Sequence, residues 1–193
     1  MKKYALTLIL IFIACASPFD SRESELPTND RGTFIQPVSP QVVLFNLENS
    51  FKELIITNFM QSLDSNFFFL YDFVTGSPPE GDSGWAHSEE LRLTELIFNN
   101  FQADSGAEII LSLTPLQNQA DQSYDTTAVL YRSYSLQAVK TGSGGQIDTT
   151  EYLGTSIFTM VENNQGLWSL LTWEDRHQST NIPSWADFKN GYR

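Results

Sequence analysis

From Ser39 onward the spacing of apolar positions switches between the helical and the strand period. Val43, Leu44, Leu47, Phe51, Leu54, Ile55 and Phe59 recur at intervals of three and four, which predicts one broad apolar face along a helix. Ser39 is placed to cap that helix, and Pro40 suits its first position, where a missing N–H costs nothing. The helix is expected to end at about residues 63–66. Residues 66–74 are apolar on both faces and strongly β-prone, which predicts a buried strand. Residues 75–84 are loop by composition. Ser88 then caps a second helix, with Glu89 and Glu90 in its favourable first turn and Leu91, Thr94, Ile97, Phe98 and Phe101 on its inner face.

The remainder reads as strands. Residues 107–115 alternate, with Ile109, Leu111 and Leu113 on one side. Residues 126–140 do the same: Leu130, Tyr134, Leu136 and Ala138 face one way, and Arg132 falls on that apolar side. Residues 152–161 and 166–176 flank the polar turn 162–166 and read as a hairpin. Within the last strand Trp168 and Leu170 share one parity, while Leu171, Trp173 and Asp175 share the other. A bulge near Ser169–Leu170 would bring the large residues onto one face. Residues 183–189 suggest a short C-terminal helix or cap. The order helix, strand, helix, then four antiparallel strands predicts an α+β fold, with a curved antiparallel sheet wrapped around the long N-terminal helix.

The first 38 residues carry a different pattern. Lys2 and Lys3 precede a nearly unbroken apolar run over residues 4–14, too short for a bilayer span and typical of a secretion signal. Phe12, Ile13, Ala14 and Cys15 resemble the lipobox of bacterial lipoproteins, with a small residue before the cysteine and phenylalanine where leucine is usual. The resemblance implies residues 1–14 as signal peptide and Cys15 as a lipidated first residue, anchoring the chain to the membrane of the bacterial cell envelope. Several acyl chains on one residue anchor stably where one does not. No aspartate follows Cys15, which points to the outer membrane. Residues 15–38 then form the lipidated cysteine and a disordered tether, too polar to offset its ordering entropy; a side reading packs Phe34 and Ile35 back as an arm. Residues 39–193 form the folded domain.

Composition narrows the function. The net charge is −12, and because Lys2 and Lys3 precede Cys15 the chain from Cys15 onward carries −14. Nucleic-acid partners are disfavoured, since they require a cationic face. Cys15 is the sole cysteine and His87 and His177 the sole histidines, so no closed zinc cluster and no intramolecular disulfide is expected. No P-loop, nucleophile elbow or dinucleotide fingerprint is present, and no cofactor is expected.

The chain from Ser39 to Arg176 resembles the nuclear transport factor two-like superfamily, which includes SnoaL-like proteins. The resemblance rests on Leu47 to Phe59, Phe67 to Phe73, Trp85 with Glu90, and the closing run Gly166 to Asp175. It implies a cone-shaped cystatin-like roll whose mouth often holds a ligand or active site. Candidate ligand-binding residues are Trp85, His87, Arg132, Tyr134, Trp173 and Asp175. Asp175 could serve as a base in an apolar cone, or sit satisfied by backbone donors or paired with Arg132 or Arg176. Ketosteroid-isomerase-type chemistry uses a tyrosine donor, and the first helix has Phe51 and Phe59 but no tyrosine. The expectation is a non-catalytic domain that binds a small ligand or a protein partner, possible homodimers included. The alternative is a SnoaL-like isomerase, cyclase or hydrolase using Asp175 or His87.

Overall fold

The computed structural model describes residues 32–72, 83–142 and 144–193. The residues read as a signal peptide, Cys15 and most of the expected tether lie outside these residues. The apolar stripe from Val43 to Phe59 forms a helix in two pieces, α1 (Pro40–Glu53) and α2 (Ile56–Gln61), instead of one unbroken rod. Leu54 between them is left-handed, with φ 56°, and its carbonyl accepts a 2.8 Å hydrogen bond from the Gln102 side chain. That tertiary bond holds a conformation costly for a side chain with a Cβ. Ser39 precedes α1 in extended geometry but makes no capping bond.

Strand β1 (Leu63–Tyr71) follows directly. It was expected to be buried on both faces, yet Phe67, Phe69 and Tyr71 point inward while Phe68 stays 37% exposed, because the strand lies on one face of the core. The short strand β2 (Gly84–Ala86) pairs antiparallel with β1. Helix α3 (His87–Gln102) starts two residues earlier than expected, with Ala86 in the cap position, so Ser88 is not its cap. Its inward face is Glu90, Leu93, Thr94, Ile97, Phe98 and Phe101; Leu91, assigned to that face, is turned outward and Leu93 takes its place.

Five strands complete the sheet: β3 (Glu108–Pro115), β4 (Gln122–Ser123), β5 (Thr127–Thr141), β6 (Ile147–Glu162) and β7 (Trp168–His177). The order is β2-β1-β7-β6-β5-β3, with β4 continuing the β3 edge along β5. All pairings are antiparallel except β1 against β7, which is parallel. The bulge in β7 sits at Leu171. Thr159 pairs with Thr172 and Met160 with Leu170, leaving Leu171 over. The parity switch puts Trp168, Leu170, Trp173 and Asp175 on the buried face and leaves Leu171 half-exposed.

Helix α4 (Trp185–Asn190) closes the chain, with a capping box between Ser184 and Asp187. The region assigned to the tether also begins earlier as ordered structure. The Ile35 amide donates to Asn46 Oδ1 (2.9 Å), Asn46 Nδ2 donates to the Ile35 carbonyl (2.6 Å), and the Trp168 amide donates to the Pro37 carbonyl (2.8 Å). Residues 33–37 are therefore an arm on α1 and β7, and the body starts before Ser39. The whole is an α+β fold with a curved, unclosed sheet, matching the sequence expectation.

Candidate functional site

The interior of the cone is built around α4. Trp185 is fully buried, with ring centroids 5.0 Å from Phe51 on α1, 5.7 Å from Tyr134 on β5 and 4.3 Å from Trp173 on β7. Two strand side chains hold the first turn of α4. The Trp185 amide donates to the Tyr134 hydroxyl (2.7 Å), and the Ala186 amide donates to Asp175 Oδ2 (2.8 Å). These are amides that a helix start leaves without an internal partner. Gly154 on β6 makes room for this: a Cβ there would lie 2.4 Å from the Tyr134 hydroxyl.

Asp175 is fully buried, and its Oδ1 has no hydrogen-bond partner. Burial pushes its carboxyl up to about 6, against the downward pull of the Tyr134 hydroxyl and the Ala186 amide. Burial also raises the Tyr134 phenol, and the adjacent Asp175 carboxylate adds to that. Trp173 donates its indole N–H to Ser156 on β6 (2.9 Å).

A second polar cluster lies beside the first. Lys189 and Glu90 are both fully buried and form a hydrogen-bonded ion pair. Glu90 Oε2 also accepts from the Trp85 indole N–H (2.6 Å). The Lys189 ammonium sits 4.3 Å from the Phe69 ring centroid and 4.9 Å from that of Trp173, with Trp85 and Trp185 within 5.8 Å. Burial lowers the affinity of Lys189 for its proton, and the Glu90 carboxylate opposes that loss. Carboxylate and aromatic faces together replace the water the ammonium has lost.

His177, at the end of β7, clamps the outside of α4. Its Nδ1 lies 2.8 Å from Asp72 Oδ1 and its Nε2 lies 2.8 Å from Asp187 Oδ2. Burial acts to lower the pKa of this ring, but the two aspartate hydrogen bonds outweigh it and the net shift is upward.

The structure thus gathers Trp85, Tyr134, Trp173 and Asp175 into one buried cluster. Arg132 is not part of it. The residue lies on the apolar side of β5 as expected, 5% exposed, but its guanidinium grips Asp121 through two nitrogens (2.7 and 2.8 Å). Asp121 is held below the usual carboxylate range by those bonds. His87 stands apart as well, half-exposed at the start of α3 beside a groove that Phe67 and Phe68 help to line. Asp175 takes a backbone donor on Oδ2 alone, leaving Oδ1 without a partner, and pairs with neither arginine; Arg176 bonds Glu174 instead. Glu90, Ser156, Ser184 and Lys189 complete the cluster and were not among the candidates. The spacing of Trp185 to Lys189, one helical turn, was a legible signal that both face the same way. Among the described residues, no three His, Cys, Asp or Glu side chains gather in a metal-binding arrangement, and no helix is long and apolar enough to cross a membrane.

No protein-family model matches the chain, and no curated protein matches it. Solved structures do. A proposed aromatic ring hydroxylase from Novosphingobium aromaticivorans aligns at 13% identity over 80% of this chain and 93% of its own, with TM-score 0.54. A conserved protein from Planctomyces limnophilus aligns at 12% identity over 70% and 91%, with TM-score 0.53. A proposed dehydratase from the NTF2-like family of Streptomyces avermitilis aligns at 10% identity over 72% and 94%, also with TM-score 0.53. Identities this low establish architecture alone. With its curved α+β sheet and the helices that fill it, the chain has the cone fold of NTF2-like proteins.

Proposed function

We propose that this chain is a lipid-anchored protein of the bacterial envelope whose body is a non-catalytic binding domain. The observation that carries the second part is the filling of the cone. Trp185 and Lys189 of α4 are fully buried and occupy the interior, packed against Trp173. Most of the polar groups inside are already engaged: Glu90 with Lys189 and Trp85, and Asp175 Oδ2 with the first turn of α4. A general base must reach the proton it removes, and a fully buried Asp175 tied to a backbone amide has no such reach. Binding then falls to the outer surface, to a small molecule or a protein partner. The anchor rests on the basic residues, the short apolar run and Cys15.

The alternative of a SnoaL-like isomerase, cyclase or hydrolase draws on one feature, the raised carboxyl of Asp175 beside the Tyr134 hydroxyl. Burial of the carboxyl beneath α4 accounts for the same shift without any catalytic role. Fragment titration followed by amide NMR separates the two readings. The binding-domain reading expects shifts on outward residues; shifts centred on Trp85, Trp173 and Asp175 would establish an accessible interior and overturn it. Intact mass of membrane-extracted protein tests the anchor, which requires a mature chain beginning at an acylated Cys15. An unmodified N-terminus at any other residue would refute it.

A further inference from the structure

Beside α4, on the outside of the cone, the structure contains a groove of about 400 Å³ between the β5–β6 hairpin, the end of α3 and the last turn of the chain. That volume is within the range of small-ligand sites. One wall is aromatic: Tyr152, Phe188 and Tyr192 pack in series, the first pair tilted and the second edge-on, with centroids 5.0 and 5.7 Å apart. The polar groups facing it are of both signs. Lys140 contributes an ammonium, while Asp148, directly opposite it in the β5–β6 ladder, and Asp187 contribute carboxylates.

These groups are held in place before any ligand arrives. Lys140 Nζ donates to Asn100 Oδ1 (2.6 Å) and to the Tyr192 hydroxyl (3.1 Å), and lies over the Phe101 ring at 4.7 Å. Asp187 Oδ2 is fixed by His177 and by the Ser184 amide (2.7 Å). Fixed donors and acceptors lower the ordering cost of binding.

The mixture of charges selects the chemical class. An anion would face Asp148 and Asp187, and a cation would face Lys140, so each meets a like charge at short range. A neutral polyol meets neither penalty. The pyranose ring has apolar C–H faces that pack on aromatic side chains and hydroxyls that both donate to carboxylates and accept from an ammonium. We propose that this groove is a binding site for a neutral saccharide of one or two rings. The proposal rests on the reading of the body as a binding domain and names the ligand class for it.

The test is amide NMR and calorimetric titration of the purified body with maltose, cellobiose and N,N′-diacetylchitobiose, with glucuronate and glucosamine as charged controls. The expected result is saturable shifts at Lys140, Tyr152 and Tyr192 with at least one neutral sugar, at a Kd on the order of 1 mM. The charged controls should bind about tenfold more weakly. Tyr192→Ala should weaken binding by about tenfold. Asp148→Asn, an exposed change that leaves packing untouched, should weaken it severalfold and guards against a misfolded Tyr192 variant. No saturable shift with any neutral sugar, equal binding of glucuronate or glucosamine, or shifts confined elsewhere would each overturn the proposal. Groove shifts with other fragments but not with sugars would overturn the saccharide alone and leave the binding domain standing.

Discussion

Asp175 is a fully buried carboxylate with no cation bonded to it. Burial raises its carboxyl to about 6, and one amide and its hydroxyl neighbours offset that only in part. An unfolded aspartate ionises near 3.9. Between these values the folded chain keeps a proton that the unfolded chain has released. The stability this group provides is complete below its unfolded pKa and lost as pH rises through about 6, a change of roughly 2–3 kcal/mol. Asp175→Asn cannot ionise, while its amide oxygen can still accept from Ala186. Urea melts of both proteins at about pH 4 and about pH 7.5 should show the stability difference moving toward the variant by roughly 2–3 kcal/mol. A difference independent of pH would contradict this. For the ion pair, Lys189→Met or Glu90→Gln alone should cost about 3–5 kcal/mol, because each strands a buried charge or its partner. Both changes together should cost far less than the sum, and a double-mutant cycle by urea melts reads that coupling. Additive losses would mean that the two groups stabilise the fold independently.

Among the elements, the strands were the most legible and their ends the least. The alternation of β3, β5 and β7 stands in the sequence, and even the β7 bulge follows from a parity switch that burial must resolve. The break in α1–α2 left no trace, because the stripe is continuous through Leu54 and the side chain that takes up its carbonyl is Gln102, 48 residues away. Leu91 and Leu93 were indistinguishable by residue type, and helix phase alone decided between them. The arm was hidden for another reason. Residues 33–37 have no apolar period, and their order comes from Asn46, a polar residue fully buried to receive them. Asn46→Ala strands the Ile35 amide and carbonyl and should cost about 1–3 kcal/mol. Deleting residues 16–38 should cost a similar amount, and adding Asn46→Ala to the deletion should change little, as measured by thermal melts. A deletion that leaves Tm unchanged would mean that the arm contributes nothing.

For the molecule as a whole, fold class followed from the order of elements, and four of the six candidate site residues converge. What the sequence withheld is the role of the last nine residues. Residues 183–189 read as a cap, but a lysine in a helix of six residues reads as solvated, and only the assembled cone supplies the aromatic faces and the Glu90 carboxylate that allow its burial. The central claim is that α4 keeps the cone closed in the native state. Native-state hydrogen exchange at the Trp185 and Ala186 amides tests it most directly, since their acceptors are Tyr134 and Asp175. Those amides should exchange only through global unfolding, with the same free energy and denaturant dependence as core amides of β6 near Phe158. Exchange through a local opening several kcal/mol below that level, nearly independent of denaturant, would show that α4 leaves the cone readily and would contradict the account.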